Sequence, residues 1–395
     1  MKKKVLFYIV FCFGLLPLNA QQHPETYKLS GHIASEIEKD TVSWKYQTGA
    51  AQYSFIGDYK NTLHIWDKAV PPRAYIPTPA DSVILRDSKI LNACDYVVKR
   101  AAKEHIIIIN EAHQNSRHRV FTRSLLKALY KNGYRYLGLE AVSDTLINTR
   151  GYAVETSGFY TKEPEFGNLI YEAIKIGFTV FGYEATEGKN GRDREIEQAH
   201  NIQSFMNSHP EGKYLIHCGF DHVYEKEVRN WEKAMAGRLK EYTGIDPLTI
   251  DQVKFSEKST RESGHFFLYA TKEKEPFVLE DRNGAAFNGL TEPRQTDISV
   301  IHPVTDYKYG RPQWLAAGRY THWPEIKKGT KHHYPVQVLA YRTGEYEHKG
   351  IPSDIIELTS EHDQKPLYLQ KGKYKIIFRN SEYTITDTYD IAVGN

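Results

Sequence analysis

Cysteine is scarce in this chain: three residues among 395, at positions 12, 94 and 218, too few for a disulfide-built scaffold. Long apolar runs are missing too, and nothing after residue 16 approaches the ~20 apolar residues that a membrane-spanning helix needs. No sign of charge dominates: 52 basic residues face 49 acidic ones, and Lys2, Lys3 and Lys4 account for the difference. Such a balance offers no electrostatic footprint for nucleic acid or an anionic membrane surface. The chain has no Gly-rich phosphate loop, no Gly-x-Ser-x-Gly elbow and no His-Glu-x-x-His pair, which argues against P-loop, serine-hydrolase and zincin chemistry. It has no internal repeat and no low-complexity tract.

What is present starts with a leader. Lys2 to Lys4, an apolar run from Val5 to Leu16 and a small-residue end at Asn19-Ala20 match a secretory signal peptide cleaved before Gln21. The mature chain is therefore expected to be exported, periplasmic or extracellular. Phe11 before Cys12 lacks the small residue that a lipoprotein cleavage site prefers, so lipid anchoring is not the expectation. Cys94 and Cys218 read as two separate buried thiols. Hydrophobic residues at 40% and charged residues at 26% place the chain among globular proteins. Tyrosine is frequent, at 28 residues, which suits half-buried strand positions or a carbohydrate-binding, aromatic-lined surface.

The pattern divides the chain into a signal peptide (1–20), an irregular N-terminal segment (21–80), an α/β domain (81–340) and a β-rich C-terminal unit (341–395). A helix is expected over 81–103, then strands over 105–110, 135–139, 178–183, 213–216 and 249–255, with helical patterns between them over 117–131, over 168–176, after Gly191 with the stripe Ile196, Ala199, Ile202 and Met206, and over 223–242. This alternation implies a mainly parallel sheet flanked by helices. Beyond residue 265 the pattern changes to short strand candidates, 265–270 among them, ending in antiparallel hairpins.

The sheet carries the chemistry. Ile106 to Ile109 are apolar on both faces, as in a strand covered by helices on both sides, and a polar burst follows at once. Glu111 and His113, Glu140, Glu184, and His217 and His222 then fall just past four successive strands, at the edge where open α/β sheets bind ligands. Two or more carboxylates with two imidazoles support two chemistries. They can hold a divalent metal, Zn or Mn, that acidifies water, with Glu111, His113, Glu140 and His222 as ligands. Alternatively His113 acts as general base on a water that a carboxylate orients. Asn115 lies in the same burst, and His118 faces either the site or the first helical turn. Arg192 and Arg194 stand near a helix start, as clamps for a substrate anion or as partners of Glu184 or Glu187. His332-His333, beside Lys327, Lys328 and Lys331, reads as a solvated loop.

Glu-Ala-His-Gln-Asn-Ser-Arg-His at 111–118 resembles the Gly-Glu-x-His-x-Asn-x-x-His stretch of the superfamily that joins erythromycin esterases, haem-binding ChaN lipoproteins, and the Tiki and TraB proteases. Gly219-x-x-His222 resembles its Gly-x-x-His motif, and Glu140 its next acidic position. Arg192-Asp193, Asn201-Ile202 and the segment from Met235 to Lys240 are similar to parts of the esterase-like branch. The likeness runs collinearly over 81–255, with Asn110 in place of the usual Gly and Gln114 in place of the Asp of the haem-binding branch. It implies an esterase/ChaN-like domain in which Glu111 and His113 are catalytic or metal-facing, Glu140 orients or ligates, and His222 is the distal histidine. The esterase branch implies a histidine base and the Tiki branch a metal. The expected function is hydrolysis of an ester, amide or peptide bond in a small molecule or peptide. Its rivals are haem or iron-chelate binding without turnover, and a degenerate fold serving as an interaction module.

Overall fold

In the four-isoleucine run, alternate side chains leave opposite faces of the strand, so each face needs its own cover. The computed structural model, which describes residues 25–290, 292–326 and 333–394, supplies both. Ile107 and Ile109 enter a core with Phe121, Leu125 and Leu129 of helix Ser116–Lys131 and with Leu169 and Ile170 of helix Pro164–Ile176. Ile106 and Ile108 enter a second core with Ala199 and Ile202 of helix Gly191–Ser208 and with Met235 and Leu239 of helix Met235–Thr243. All four isoleucines are fully buried, each contributing ~1.5–3 kcal/mol of hydrophobic stabilisation.

Strand Ile106–Glu111 thus lies inside a six-stranded sheet in the order Ile298–Ser299, Leu248–Asp251, Ile106–Glu111, Lys213–Gly219, Tyr134–Leu139, Thr179–Gly182. Every neighbouring pair is parallel. A second, four-stranded sheet is antiparallel throughout, in the order Asp354–Leu358, Val336–Arg342, Gly372–Arg379, Ile385–Val393. Among the described residues no helix is long and apolar enough to cross a membrane. The leader, Lys327, Lys328, Lys331 and His332 lie outside the described residues, and His333 is exposed.

Several local expectations are corrected. Much of residues 21–80 is helical, in Ser30–Lys39, Lys45–Phe55 and Tyr59–Ala69. These helices bury Ile33, Ile37, Tyr53 and Ile65 against Leu339, Tyr341, Ile355 and Ile377 of the antiparallel sheet. The first two touch at Gly49, where a Cβ would stand 2.4 Å from Ile37 Cδ1. Helix Lys45–Phe55 is buried at Gly49 to Ala51 and Tyr53 to Phe55, nearly all round, so it has no apolar stripe to read. Strand Val336–Arg342 runs across the expected boundary at 340/341, because it pairs on both sides within the second sheet.

The single helix expected over 81–103 is two, Pro79–Asp87 and Ala93–Ala101, separated by strand Lys89–Asn92, which pairs with Phe277–Glu280. Asn92 ends that strand and caps the second helix, accepting from Asp95 N at 3.2 Å. Residues 266–270 form a short helix, its start capped by His265, where a five-residue apolar run fits helix and strand alike. After residue 223 a small hairpin comes first, and helix Met235–Thr243 starts only where Glu195 accepts the Met235 N–H at 2.8 Å. Cys94 and Cys218 are both free thiols, with Cys218 buried and Cys94 partly exposed.

Candidate functional site

Glu111 is the last residue of the central strand and is 1% exposed. A lone carboxylate there would be prohibitively desolvated, so its stability depends on partners. Helix Ser116–Lys131 brings Arg119 back over it in a bidentate pair, Nε to Oε2 and Nη2 to Oε1, both 2.7 Å. His217 Nε2 donates to Oε2 at 2.8 Å, and His113 Nδ1 donates to Oε1 at 2.9 Å. Arg119 also reaches Glu163 at 3.0 Å and lies over the Phe166 ring at 4.5 Å. Burial alone would raise the Glu111 pKa, but the charge of Arg119, then that of His217 and the two imidazole hydrogen bonds, hold it well below the usual carboxylate range.

His113 sits in the turn after the strand. Because Glu111 is ionised it can only accept, so the ring proton belongs on Nδ1 and the lone pair on Nε2. The ring stacks on Tyr160 at 4.1 Å and 13°, and Phe220 meets it edge-on at 5.2 Å. Phe220 has φ +39°, and its carbonyl accepts from Asn110 Nδ2 at 2.8 Å. Asn110 also bonds Asp251 and Gln252, so it ties the central strand to its neighbour while fixing the wall beside His113. The far face of Phe220 stacks on Trp66 at 5.5 Å, so an N-terminal helix helps to build the site.

His113 Nε2 faces Glu140 Oε1 at 4.0 Å. Glu140 follows the neighbouring strand Tyr134–Leu139, is 5% exposed, and takes the Gly219 N–H and Arg194 Nη2, each at 2.5 Å. Burial opposes its ionisation, but His222, His113 and Arg194 outweigh that and lower its pKa to about 2. On the other side of Glu140, His222 Nε2 stands 3.6 Å from Oε1 and accepts from Arg194 Nη1 at 2.8 Å. His222 Nδ1 donates to buried Glu195 at 2.8 Å, and the ring stacks on Trp231. Burial lowers the His222 pKa, yet Glu140 and Glu195 more than offset it and the net shift is upward. A proton arriving on Nε2 must displace Arg194. Two imidazoles, each anchored through Nδ1 by a buried carboxylate, therefore present Nε2 to one shared carboxylate and one guanidinium.

The structure brings Glu111, His113, Glu140 and His222 together. Glu184 joins them through Arg194, accepting from Nε at 2.9 Å and Nη2 at 2.6 Å. Arg192 does not: it is exposed and pairs with Glu232 at 2.7 Å, two residues before Arg194 and so on the other side of the helix. Asn115 caps helix Ser116–Lys131, accepting from Arg117 N at 3.1 Å, so it shapes the turn that carries His113. His118 is wholly buried, accepting from Ala112 N at 2.9 Å and bonding Ser256 Oγ at 2.8 Å. With both nitrogens engaged it is a tie for the His113 turn, its pKa pushed down by burial to about 3.

Sequence reasoning missed Arg119, Tyr160, Glu195, Trp231 and Phe220. Only Glu195 left a trace, as a carboxylate in line with Gln198, Ala199, Ile202 and Met206 on the buried face of its helix.

A metal ion does not fit this donor set. Among the described residues no three His, Cys, Asp or Glu side chains stand as ligands, and Arg194 fills the space between Glu140, Glu184 and His222.

No family model and no curated protein matches the sequence. Solved structures show a weak likeness. The type III effector HopBA1 is 11% identical with a TM-score of 0.33, over 45% of this chain and 94% of that one. RRSP, a MARTX toxin effector domain from Vibrio vulnificus, is 18% identical with a TM-score of 0.28, over 51% of this chain and 45% of that one. Pasteurella multocida toxin, whose C-terminal region has a thiol-protease-like catalytic triad, is 8% identical with a TM-score of 0.30, over 88% and 54%. The chain thus spans about half the length of the last two. Likeness at this level carries no argument about function.

Proposed function

We propose that the cluster is the catalytic centre of an exported hydrolase that cleaves an ester, amide or peptide bond without a metal, by an imidazole-base mechanism. The observation that carries this reading is the His113 geometry: Nδ1 is pinned to Glu111 at 2.9 Å, which leaves Nε2 as a fixed lone pair facing Glu140, the carboxylate that Arg194 also binds. His113 Nε2 takes a proton from water as the water oxygen attacks the carbonyl carbon. Glu111 and Glu140 stabilise the imidazolium that forms, the buried Glu111 doing so as the carboxylate of a histidine–carboxylate pair does. The Arg194 guanidinium stabilises the oxyanion of the tetrahedral intermediate. The carbon–leaving-group bond then breaks, and the imidazolium returns its proton to the departing alkoxide or amine. The His222–Glu195 pair holds Arg194 in place through Nε2.

The test is a panel of esters, amides and peptides assayed on the mature protein before and after chelator treatment, with His113→Ala and Glu111→Gln beside it. Turnover that survives chelation and falls ~10²-fold or more in the variants supports the proposal. Turnover lost to the chelator and restored by Zn or Mn overturns the metal-free step. A haem absorption band on titration with no turnover overturns catalysis.

A further inference from the structure

A second concavity lies at the end of the antiparallel sheet. Strand Val336–Arg342 stops at the turn Thr343-Gly344, whose glycine has φ +86°, and the paired strand starts only at Gly372. Between them and helix Pro164–Ile176 is a cavity of about 510 Å³ lined by Tyr152, Tyr171, Arg342, Glu345, Lys371 and Lys373. That is within the range of small-ligand sites. None of these residues belongs to the His113 cluster.

Arg342 is preorganised there. Its guanidinium lies 3.7 Å over the Tyr171 ring, and Nη2 donates to buried Asn168 at 2.6 Å. Its Nη1 stands 3.8 Å from Glu345 Oε2, beyond hydrogen-bond distance, with the two side chains 10% and 6% exposed. That loose contact is the one ion pair of the Glu345 carboxylate among the described residues, so the carboxylate can still accept a hydrogen bond. Burial pushes its pKa up to about 7, against the opposing charge of Arg342. Lys371 and Lys373 stand exposed at the rim with no ion-pair partner among the described residues.

A donor and an acceptor side by side at 3.8 Å suit adjacent hydroxyls of a pyranose ring, one accepting from Arg342 and one donating to Glu345. Two rim lysines add selection for negative charge, and half-buried Tyr152 offers an apolar flank for the ring. We infer that this cavity is a binding site for an acidic saccharide, a short oligosaccharide carrying carboxylate groups.

Titration calorimetry of the mature protein with trigalacturonate, cellotriose and a triglutamate peptide tests this. Trigalacturonate should bind, cellotriose should bind at least about tenfold more weakly, and the Lys371→Glu/Lys373→Glu variant should lose at least about tenfold in affinity for trigalacturonate. Glu345→Ala should weaken trigalacturonate as well, with the circular dichroism spectrum of each variant unchanged. No binding of trigalacturonate by the folded protein, unchanged binding in the lysine variant, or triglutamate binding as tightly as trigalacturonate each overturns the inference.

Discussion

A Cβ on Gly219 would stand 2.4 Å from both Cε1 and Nε2 of His113, so the last residue of one strand sets the position of the imidazole that follows its neighbour. The Gly219 N–H also donates to Glu140 at 2.5 Å, so one residue spaces the histidine and anchors the carboxylate. Gly219 has φ −83° and ψ 145°, a conformation open to any residue, so the requirement here is space.

Gly219→Ala is therefore expected to impair catalysis far more than stability. The imidazole must rotate off Glu111 to admit the methyl group, and a misplacement of ~1 Å in a catalytic group costs ~10²-fold. Steady-state kinetics beside thermal melts check this, and a variant of normal activity would show that His113 tolerates displacement.

His113→Ala should remove activity while costing ~1–2 kcal/mol, since it deletes one hydrogen bond and a ring stack but leaves Glu111 paired with Arg119 and His217. Ile107→Ala, at a fully buried position, should cost ~2–5 kcal/mol with no specific kinetic defect. Denaturant unfolding of the two variants separates these outcomes. Equal destabilisation would make His113 a structural residue.

The two arginines should behave differently. Arg119→Met leaves Glu111 and Glu163 buried without their cation and should cost ~3–5 kcal/mol, visible as loss of soluble yield. Arg194 is 28% exposed, and Glu140 keeps the Gly219 N–H without it, so Arg194→Met should cost ~1 kcal/mol in stability. Its kcat should nevertheless fall ~10²-fold or more, as when an oxyanion donor is removed.

Acid lability should be traceable to His118. The unfolded chain takes up this proton near the ordinary value of ~6.5, while the folded chain resists it until about pH 3. The stability that the neutral ring contributes is thus complete above pH 6.5 and is lost as pH falls toward 3. Between pH 7.5 and 5 the native protein should lose ~2 kcal/mol more than His118→Gln, whatever the baseline stability of the variant. Urea titrations at the two pH values measure that difference, and parallel losses would contradict it.

Some of this architecture was legible in the residues alone. The run Ile106 to Ile109 has no polar face, and only a strand covered on both sides accommodates that. Because parallel strands end at one edge, Glu111, His113, Glu140 and His222 had to lie near one another once the βα alternation was read. What the order of residues could not decide was how their charges are met. Arg119 and Glu195 sit on the buried faces of their helices, and the pattern of neither helix names the partner. Their partners are chosen by side-chain direction across a crossover, which sequence spacing does not encode. Asn115 and His118 belong to the same polar burst as His113, yet one caps the next helix and the other turns inward to Ala112 and Ser256. The N-terminal helices were not legible because their packing partner, the antiparallel sheet, lies near the other end of the chain, and because helix Lys45–Phe55 is buried on nearly every side. Local chemistry set the strand and its polar end. The balance of buried charge around Glu111 and Glu140 was decided by packing, because in a low-dielectric interior a carboxylate is stable only where the fold delivers a cation or a donor to it.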